Sequence, residues 1–167
     1  MIKTKRLTLK PYEDGDQENM IDLLTNEQIK ETFMIPDFQS LEQAKKMFQK
    51  LKEYSYSSEH YERGIYLQDK LIGFLNDVEI KGQQIELGYV IHPNHHNQGF
   101  ATEALEVAIK ELFQLGYTEV VTGAFEENVA SCKVMIKCGM SRIEREDKIE
   151  YHGKVHNCIY YIIKHNS

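Results

Sequence analysis

The stretch HPNHHNQGFATEAL, residues 92–105, concentrates the side chains whose types could do chemistry. Its three histidines, His92, His95 and His96, raise the question of a metal, and its lone glycine, Gly99, precedes what reads as a long helix. Metal binding fits poorly. Histidines bunched on one turn do not converge on a single ion unaided, and no paired cysteines or H-E-x-x-H helix accompanies them. His92 and Pro93 are expected to end a strand, His95 to face solvent, and no metal site is expected. Anion binding fits better. The first turn of a helix presents backbone N–H groups without intrahelical partners, and the helix dipole adds about half a positive charge. Gly99 removes a Cβ where a ligand must approach the backbone, and Ala101 keeps the next turn small, so phosphate groups would fit.

The elements that must position this stretch follow from periodicity. KRLTLKPY alternates and predicts a first strand, and residues 14–24 a short helix opened by Asp14 or Asp16. SLEQAKKMFQKLKEY predicts a second helix, with Ser40 and Gln43 at capping-box spacing and Leu41, Ala44, Phe48 and Leu51 on one face. Residues 62–93 read as three consecutive strands turning at Gln68-Asp69 and Lys81-Gly82. Residues 99–115 form the strongest helix, striped by Ala101, Ala104, Leu105, Ala108, Leu112 and Leu115 and ended by Gly116. YTEVVTGAF predicts a strand, 128–138 a helix capped by Asn128 and stopped by Gly139, and 141–149 and 155–164 two closing strands. The mixture is an α/β or α+β domain, and with no repeat or linker the whole of 1–167 reads as one.

The bulk numbers narrow the function classes. The chain has 167 residues, 41% hydrophobic and 28% charged, which is ordinary for a globular domain. No apolar run approaches the roughly 20 residues of a membrane span, and the basic N-terminus lacks the apolar core of a secretory signal. Three scattered cysteines suit neither a disulfide framework nor a zinc site, so a reducing cytoplasm is expected. A net charge of −6 argues against a nucleic-acid partner. The sequence neither requires nor excludes a homodimer.

Within this frame HNQGFA, His96 to Ala101, resembles the Q/R-x-x-G-x-G/A acetyl-CoA signature of the GNAT N-acetyltransferases. GFATEAL after IELGYVIHP is similar to the Rim-type branch, which includes ribosomal-protein N-terminal and polyamine acetyltransferases. KRLTLKPYEDGD resembles that branch's opening strand, and ENVASCKVMIKCGM, Glu127 to Met140, its E-N-x-x-S…K-x-G-F segment. One departure is His96, which stands where the family has Gln or Arg. Because the loop binds mainly through backbone amides, this is expected to change affinity rather than abolish it.

The resemblance implies a GNAT fold: a mixed, mostly antiparallel sheet of about seven strands with four helices, splayed between the fourth and fifth strands to admit acetyl-CoA. By position, Tyr89, Val90 and Ile91 would pair with the pantetheine arm, and an N–H of Val90 or Ile91 would polarise the thioester carbonyl. Asn97, Gln98, Gly99, Phe100, Ala101 and Thr102 would hold the pyrophosphate. Asn128 would contact the pantetheine as well as cap its helix, with Ser131 beside the thiol. Many family members protonate the leaving thiolate from a tyrosine whose place is taken here by Met135, which cannot donate. Ser131 is the available substitute. For the acceptor amine, Glu86 is the best-placed carboxylate, on the strand face of Val90. The loops IKETFMIPDF (29–38) and YSYSSEHY (54–61) either line the acceptor side or serve as cover and connector.

The function implied is acetyl transfer to a primary amine by direct attack, the acceptor being a protein N-terminal α-amine or a small amine. A polyamine or antibiotic-type acceptor is the rival within enzymes. A non-catalytic CoA-binding module is the rival of another class.

Overall fold

The computed structural model describes residues 1–166. In chain order the elements are β1 (Ile2–Lys3), β2 (Leu7–Lys10), α1 (Gln17–Thr25), α2 (Glu27–Lys30), α3 (Leu41–Tyr56), β3 (Glu62–Leu67), β4 (Lys70–Lys81) and β5 (Gln84–Ile91). Then follow α4 (Phe100–Gln114), β6 (Glu119–Phe125), α5 (Val129–Lys137), β7 (Ser141–Tyr151) and β8 (Lys154–Lys164). The strand order is β1-β2-β3-β4-β5-β6-β8-β7. The mixed architecture expected from the sequence is present, with one more strand and one more helix. The extra strand is the two-residue β1, paired to β2 through Ile2↔Leu9 and Lys3↔Thr8. The extra helix is the single turn α2, which Asn26 caps by accepting from the Ile29 N–H at 3.0 Å. Elements this short carry no detectable period.

The chain divides into two compact units. The first comprises Met1–Asn76 with Tyr89–Ala104. Here β2 lies antiparallel to β3, and β3 to β4. One core is shared by Met20, Leu23 and Leu24 of α1, Phe48 of α3, and Tyr66, Leu71, Phe74 and Val90 of the strands. Burying each large apolar side chain contributes about 1.5–3 kcal/mol, and this holds the two helices to the strands. Ser40 caps α3 by accepting from Gln43 N–H at 3.2 Å, but the Gln43 carboxamide oxygen accepts from Gln39 rather than from Ser40. Ala44 and Phe48 are buried as expected, whereas Leu41, in the first turn, is exposed.

Neither aspartate opens α1 through its side chain; residues 14–16 form a 3₁₀ turn instead. The Asp16 carboxylate accepts from the Glu13 N–H at 2.8 Å and from the Tyr66 hydroxyl at 2.5 Å. Loop 29–38 covers the strands: Ile35 is buried, and Phe33 meets Phe74 edge-on at 5.7 Å. Much of 54–61 is structural too. Helix α3 runs on to Tyr56, whose hydroxyl donates to the Tyr12 carbonyl at 3.0 Å, while Ser55 Oγ accepts from the Tyr12 N–H at 3.1 Å.

The second unit comprises Asp77–Gly88 and the chain from Leu105 onward. The turn between β4 and β5 falls at Gly82-Gln83, one residue later than expected. Strand β5 runs parallel to β6 from Gln84↔Glu119 to Leu87↔Thr122, and both strands continue beyond that last pair. Strand β8 is antiparallel to both β6 and β7. Leu105, Ala108 and Leu112 are the buried stripe of α4, while Leu115, at its frayed end, is exposed.

Residue 73 makes the tightest backbone approach. A Cβ there would lie 2.1 Å from the Val90 carbonyl oxygen. Only glycine lets β4 pass that carbonyl, so Gly73→Ala must displace residues 90–91. It should cost about 1–3 kcal/mol, as overpacking does, and lower Tm by several degrees. Gly15→Ala, where a Cβ meets nothing within 4 Å, should leave Tm almost unchanged. Equal melting curves for the two variants would refute the close approach.

Candidate functional site

The loop between β5 and α4 takes its shape from residues that are not adjacent in sequence. Asn97 has φ +61° and Gly99 φ +81°. Asparagine tolerates this left-handed region and glycine enters it without cost. The Gly99 carbonyl accepts from the Glu103 N–H at 3.1 Å, so α4 begins there and leaves its first amides unpaired within the helix. Residues 96–99 are exposed, Ala101 and Thr102 are half-buried, and the Phe100 side chain is buried. Val90 and Ile91 are buried and Tyr89 half-buried.

The three histidines have separate duties. His92 Nδ1 accepts from the Asn94 N–H at 3.1 Å, while its Nε2 meets Asp22 at 3.0 Å. His96 donates from Nε2 to the Ile91 carbonyl at 2.7 Å, tying the loop back to the end of β5. His95 is half-buried and edge-on to Phe100 at 6.3 Å, rather than facing solvent. Burial lowers its pKa, with Lys70 and His92 adding to the effect. Among the described residues no group of three or more His, Cys, Asp or Glu is placed to hold a metal ion.

Arg6 braces the loop from β2's approach. Its Nη1 donates to the Gln98 carbonyl at 2.8 Å, its Nε pairs with Glu103 Oε1 at 2.8 Å, and its guanidinium lies 4.3 Å from the Phe100 ring centroid. Glu103 also accepts from the Arg6 N–H at 2.9 Å and from the Thr4 hydroxyl. Neither Arg6 nor Glu103 was found by motif. Their 97-residue separation leaves no local pattern to read.

In the second unit Asn128 caps α5, accepting from the Ser131 N–H at 3.2 Å. Met135 is fully buried in that helix. The Glu86 side chain is only 13% exposed and meets Arg145 Nη1 at 3.3 Å. Burial pushes its carboxyl up from the ordinary value, and Arg145 offsets part of this. Arg145 lies 3.7 Å from the Tyr160 ring centroid, and Tyr160 donates its hydroxyl to Asp147 at 2.7 Å. Gly123 makes room for that ring: a Cβ there would fall 2.7 Å from it. A glycine inside a strand was the available signal for such an approach. On the same strand as Tyr160, His156 pairs through Nδ1 with Glu127 and stacks on Phe125 at 4.1 Å.

The family model for the acetyltransferase (GNAT) domain matches residues 6–141. The chain belongs to the GNAT acetyltransferase family. Among curated relatives, it is 27% identical over 147 residues to the uncharacterized N-acetyltransferase YoaA of Bacillus subtilis (strain 168), covering 85% of this chain and 83% of that one. Among solved structures, a spermidine N-acetyltransferase from Vibrio cholerae, in complex with CoA and spermine, superposes with TM-score 0.82 at 21% identity over 96% of each chain. RimL, a ribosomal L7/L12 alpha-N-protein acetyltransferase in complex with coenzyme A, superposes with TM-score 0.83 at 18% identity, covering 96% of this chain and 95% of that one. Both likenesses are likenesses of fold. No helix among the described residues is long and apolar enough to cross a membrane.

The GNAT loop's brace should be visible in acid. Desolvation raises the Glu103 carboxyl, but hydrogen bonds from Thr4 and Arg6 outweigh it and leave the pKa lowered. A depressed folded-state pKa contributes stability above the unfolded value, near 4.3, that is lost as pH falls through the folded one. Glu103→Gln should therefore lower stability at pH 7 and flatten its decline below about pH 4.5. Denaturant titrations with parallel acid limbs in wild type and variant would contradict this.

Proposed function

We propose that the chain transfers the acetyl group of acetyl-CoA directly to a primary amine, and that the acceptor is the α-amine of a peptide N-terminus. Acetyl-CoA supplies an activated acetyl thioester. The residues present fit it: the positive φ of Asn97 and Gly99, the bare Gly99 α-carbon and the α4 N-terminus form the kind of cradle a pyrophosphate takes. In this reading Asn97 to Thr102 hold the pyrophosphate, and Tyr89, Val90 and Ile91 hold the pantetheine. An amide of Val90 or Ile91 donates to the thioester oxygen, where negative charge develops. Asn128 orients the pantetheine, and Ser131 gives a proton to the departing sulfur. Glu86 takes the proton the amine loses, directly or through water.

Direct transfer is supported by the cysteines. Burial raises the thiol pKa of Cys132 and Cys158 and pushes Cys138 up to about 12, so none is a ready thiolate for an acetyl-enzyme. Among the described residues no disulfide joins the three cysteines. Neither a nucleic acid nor a membrane enters the reading as partner, and it holds for a monomer or a homodimer.

The observation that carries the α-amine is the Glu86–Arg145 pair. Arg145 restrains Glu86 as a base by offsetting part of the rise that burial causes. An α-amine of pKa near 8 is about one-tenth neutral at pH 7 and needs little help, whereas a lysine-type amine near 10.4 is neutral only about once in 2,500. A polyamine is the second reading, favoured by Asp147, whose carboxylate joins Glu86 around the same Arg145.

Release of free CoA across a panel of peptides and amines tests the proposal, with α-amine peptides expected to give the highest kcat/KM. A panel in which no amine releases CoA would sink it. Glu86→Gln should cost several-fold at pH 7, and the deficit should shrink toward pH 9 as the amine deprotonates itself. Superimposable pH profiles would leave Glu86 an ordinary strand residue. Gly99→Val, which adds both bulk and backbone strain at positive φ, should weaken acetyl-CoA at least tenfold in a calorimetric titration. Unchanged affinity in a folded variant would remove the loop from the site.

A further inference from the structure

Strand β7 is irregular where it passes Tyr160. The four steps from Arg142 to Glu146 face only the two steps from Tyr161 to Ile159 on β8. Such a bulge re-aims side chains that a regular strand would send elsewhere. It carries Arg145, whose guanidinium lies flat enough on Tyr160 to bring Cζ within 3.7 Å of the ring centroid. From there Nη1 meets Glu86 at 3.3 Å and Nη2 meets Asp147 at 3.5 Å. Tyr160 in turn is held by its hydroxyl bond to Asp147 and by the space over Gly123. The cation, though its side chain is 41% exposed, is therefore held between two carboxylates and an aromatic face.

We infer that Arg145 is a specificity-determining residue, a built-in cation that selects acceptors with one ammonium group over polycations. This rests on the proposed role of Glu86 on the amine side. Arginine stays charged at any working pH. An incoming ammonium drawn to Glu86, itself only 13% exposed, meets a fixed like charge whose repulsion is partly screened because the Arg145 side chain is 41% exposed. A single ammonium shares Glu86 with the guanidinium. A second or third positive centre finds Asp147 already neutralised. Glu86, Asp147 and Arg145 carry a single net negative charge, and the neighbouring Glu79 is paired with Lys81 at 2.8 Å, so the cluster matches one ammonium. Removing the guanidinium leaves two negative charges, which match a polyamine.

The test is calorimetric titration of spermidine, and separately of a short peptide with neutral side chains and a free α-amine, into the CoA-bound protein. Arg145→Gln should raise spermidine affinity relative to the peptide tenfold or more. Arg145→Lys, which keeps the charge, should stay near the wild-type preference, and adding Glu86→Gln to Arg145→Gln should erase most of the gain. A preference that moves less than twofold in Arg145→Gln, or equally in Arg145→Lys, overturns the inference. Should Arg145→Gln not fold, Asp147→Asn gives the opposite sign: with one carboxylate fewer, spermidine must bind more weakly, and unchanged binding again overturns it. Failure of the wild type to turn over any α-amine peptide would sink the proposed acceptor alone, because the calorimetric preference is read without turnover.

Discussion

The first turn of α4 is the constraint on which the rest of this molecule turns. A helix must leave its leading amides unpaired, and those amides must meet either water or an anion. Here the chain enters the helix through two residues at positive φ, a conformation that does not hold itself in place. It is held from outside. His96 closes the loop onto Ile91, Arg6 grips the Gln98 carbonyl, and Glu103, one turn into the helix, holds Arg6. The family's Gln or Arg at the head of the loop is replaced by a histidine that still donates a hydrogen bond. That bond, to the Ile91 carbonyl at 2.7 Å, ties the loop to the end of β5.

The second unit is governed by the cost of placing charge where water is scarce. Glu86 sits mostly out of solvent, and an ionised carboxylate there needs a partner. Arg145 supplies it, and the aromatic face of Tyr160 supplies the guanidinium with a surface to lie on. Desolvation and the guanidinium pull the Glu86 pKa in opposite directions, and desolvation prevails. In the proposed reading such a carboxyl, raised by burial yet charge-paired, relays a proton from a weakly basic amine rather than stripping one from lysine.

The sequence exposed these two regions unequally. The longer strands, the helices longer than two turns and the glycine turn that opens α4 were legible, because hydrophobic period and a glycine before a helix are local signals. Asn128 and Ser40 were correctly read as caps for the same reason. Turn placement slipped by one residue at Gly82, since either neighbour of a turn glycine can share the turn. What stayed hidden was long-range. Arg145 lies in SRIEREDKIEY, a charge run that reads as a solvated strand face, and only the bulge turns it onto Tyr160. Arg6 lies 97 residues from the Glu103 it holds, so no local pattern marks it. Leu41 was assigned to the buried face because periodicity says which residues share a side, not how far along a helix the core extends.

This asymmetry has a functional counterpart. A site built from backbone amides constrains side chains only where they would intrude, so its sequence pattern is short and persists through changes such as the one at His96. A site built from side chains on a bulged edge strand has no such economy. Moving the bulge by one residue would send Arg145 to the opposite face and leave Glu86 facing only the like charges of Glu79 and Asp147. In the proposed reading the acyl-donor loop stays fixed while small changes in β7 re-specify the acceptor. A spermidine enzyme and a ribosomal-protein enzyme resembling this chain almost equally in fold are what that arrangement would produce. In the proposed reading, the acceptor is set not by the architecture but by whether a cation such as Arg145 stands beside Glu86.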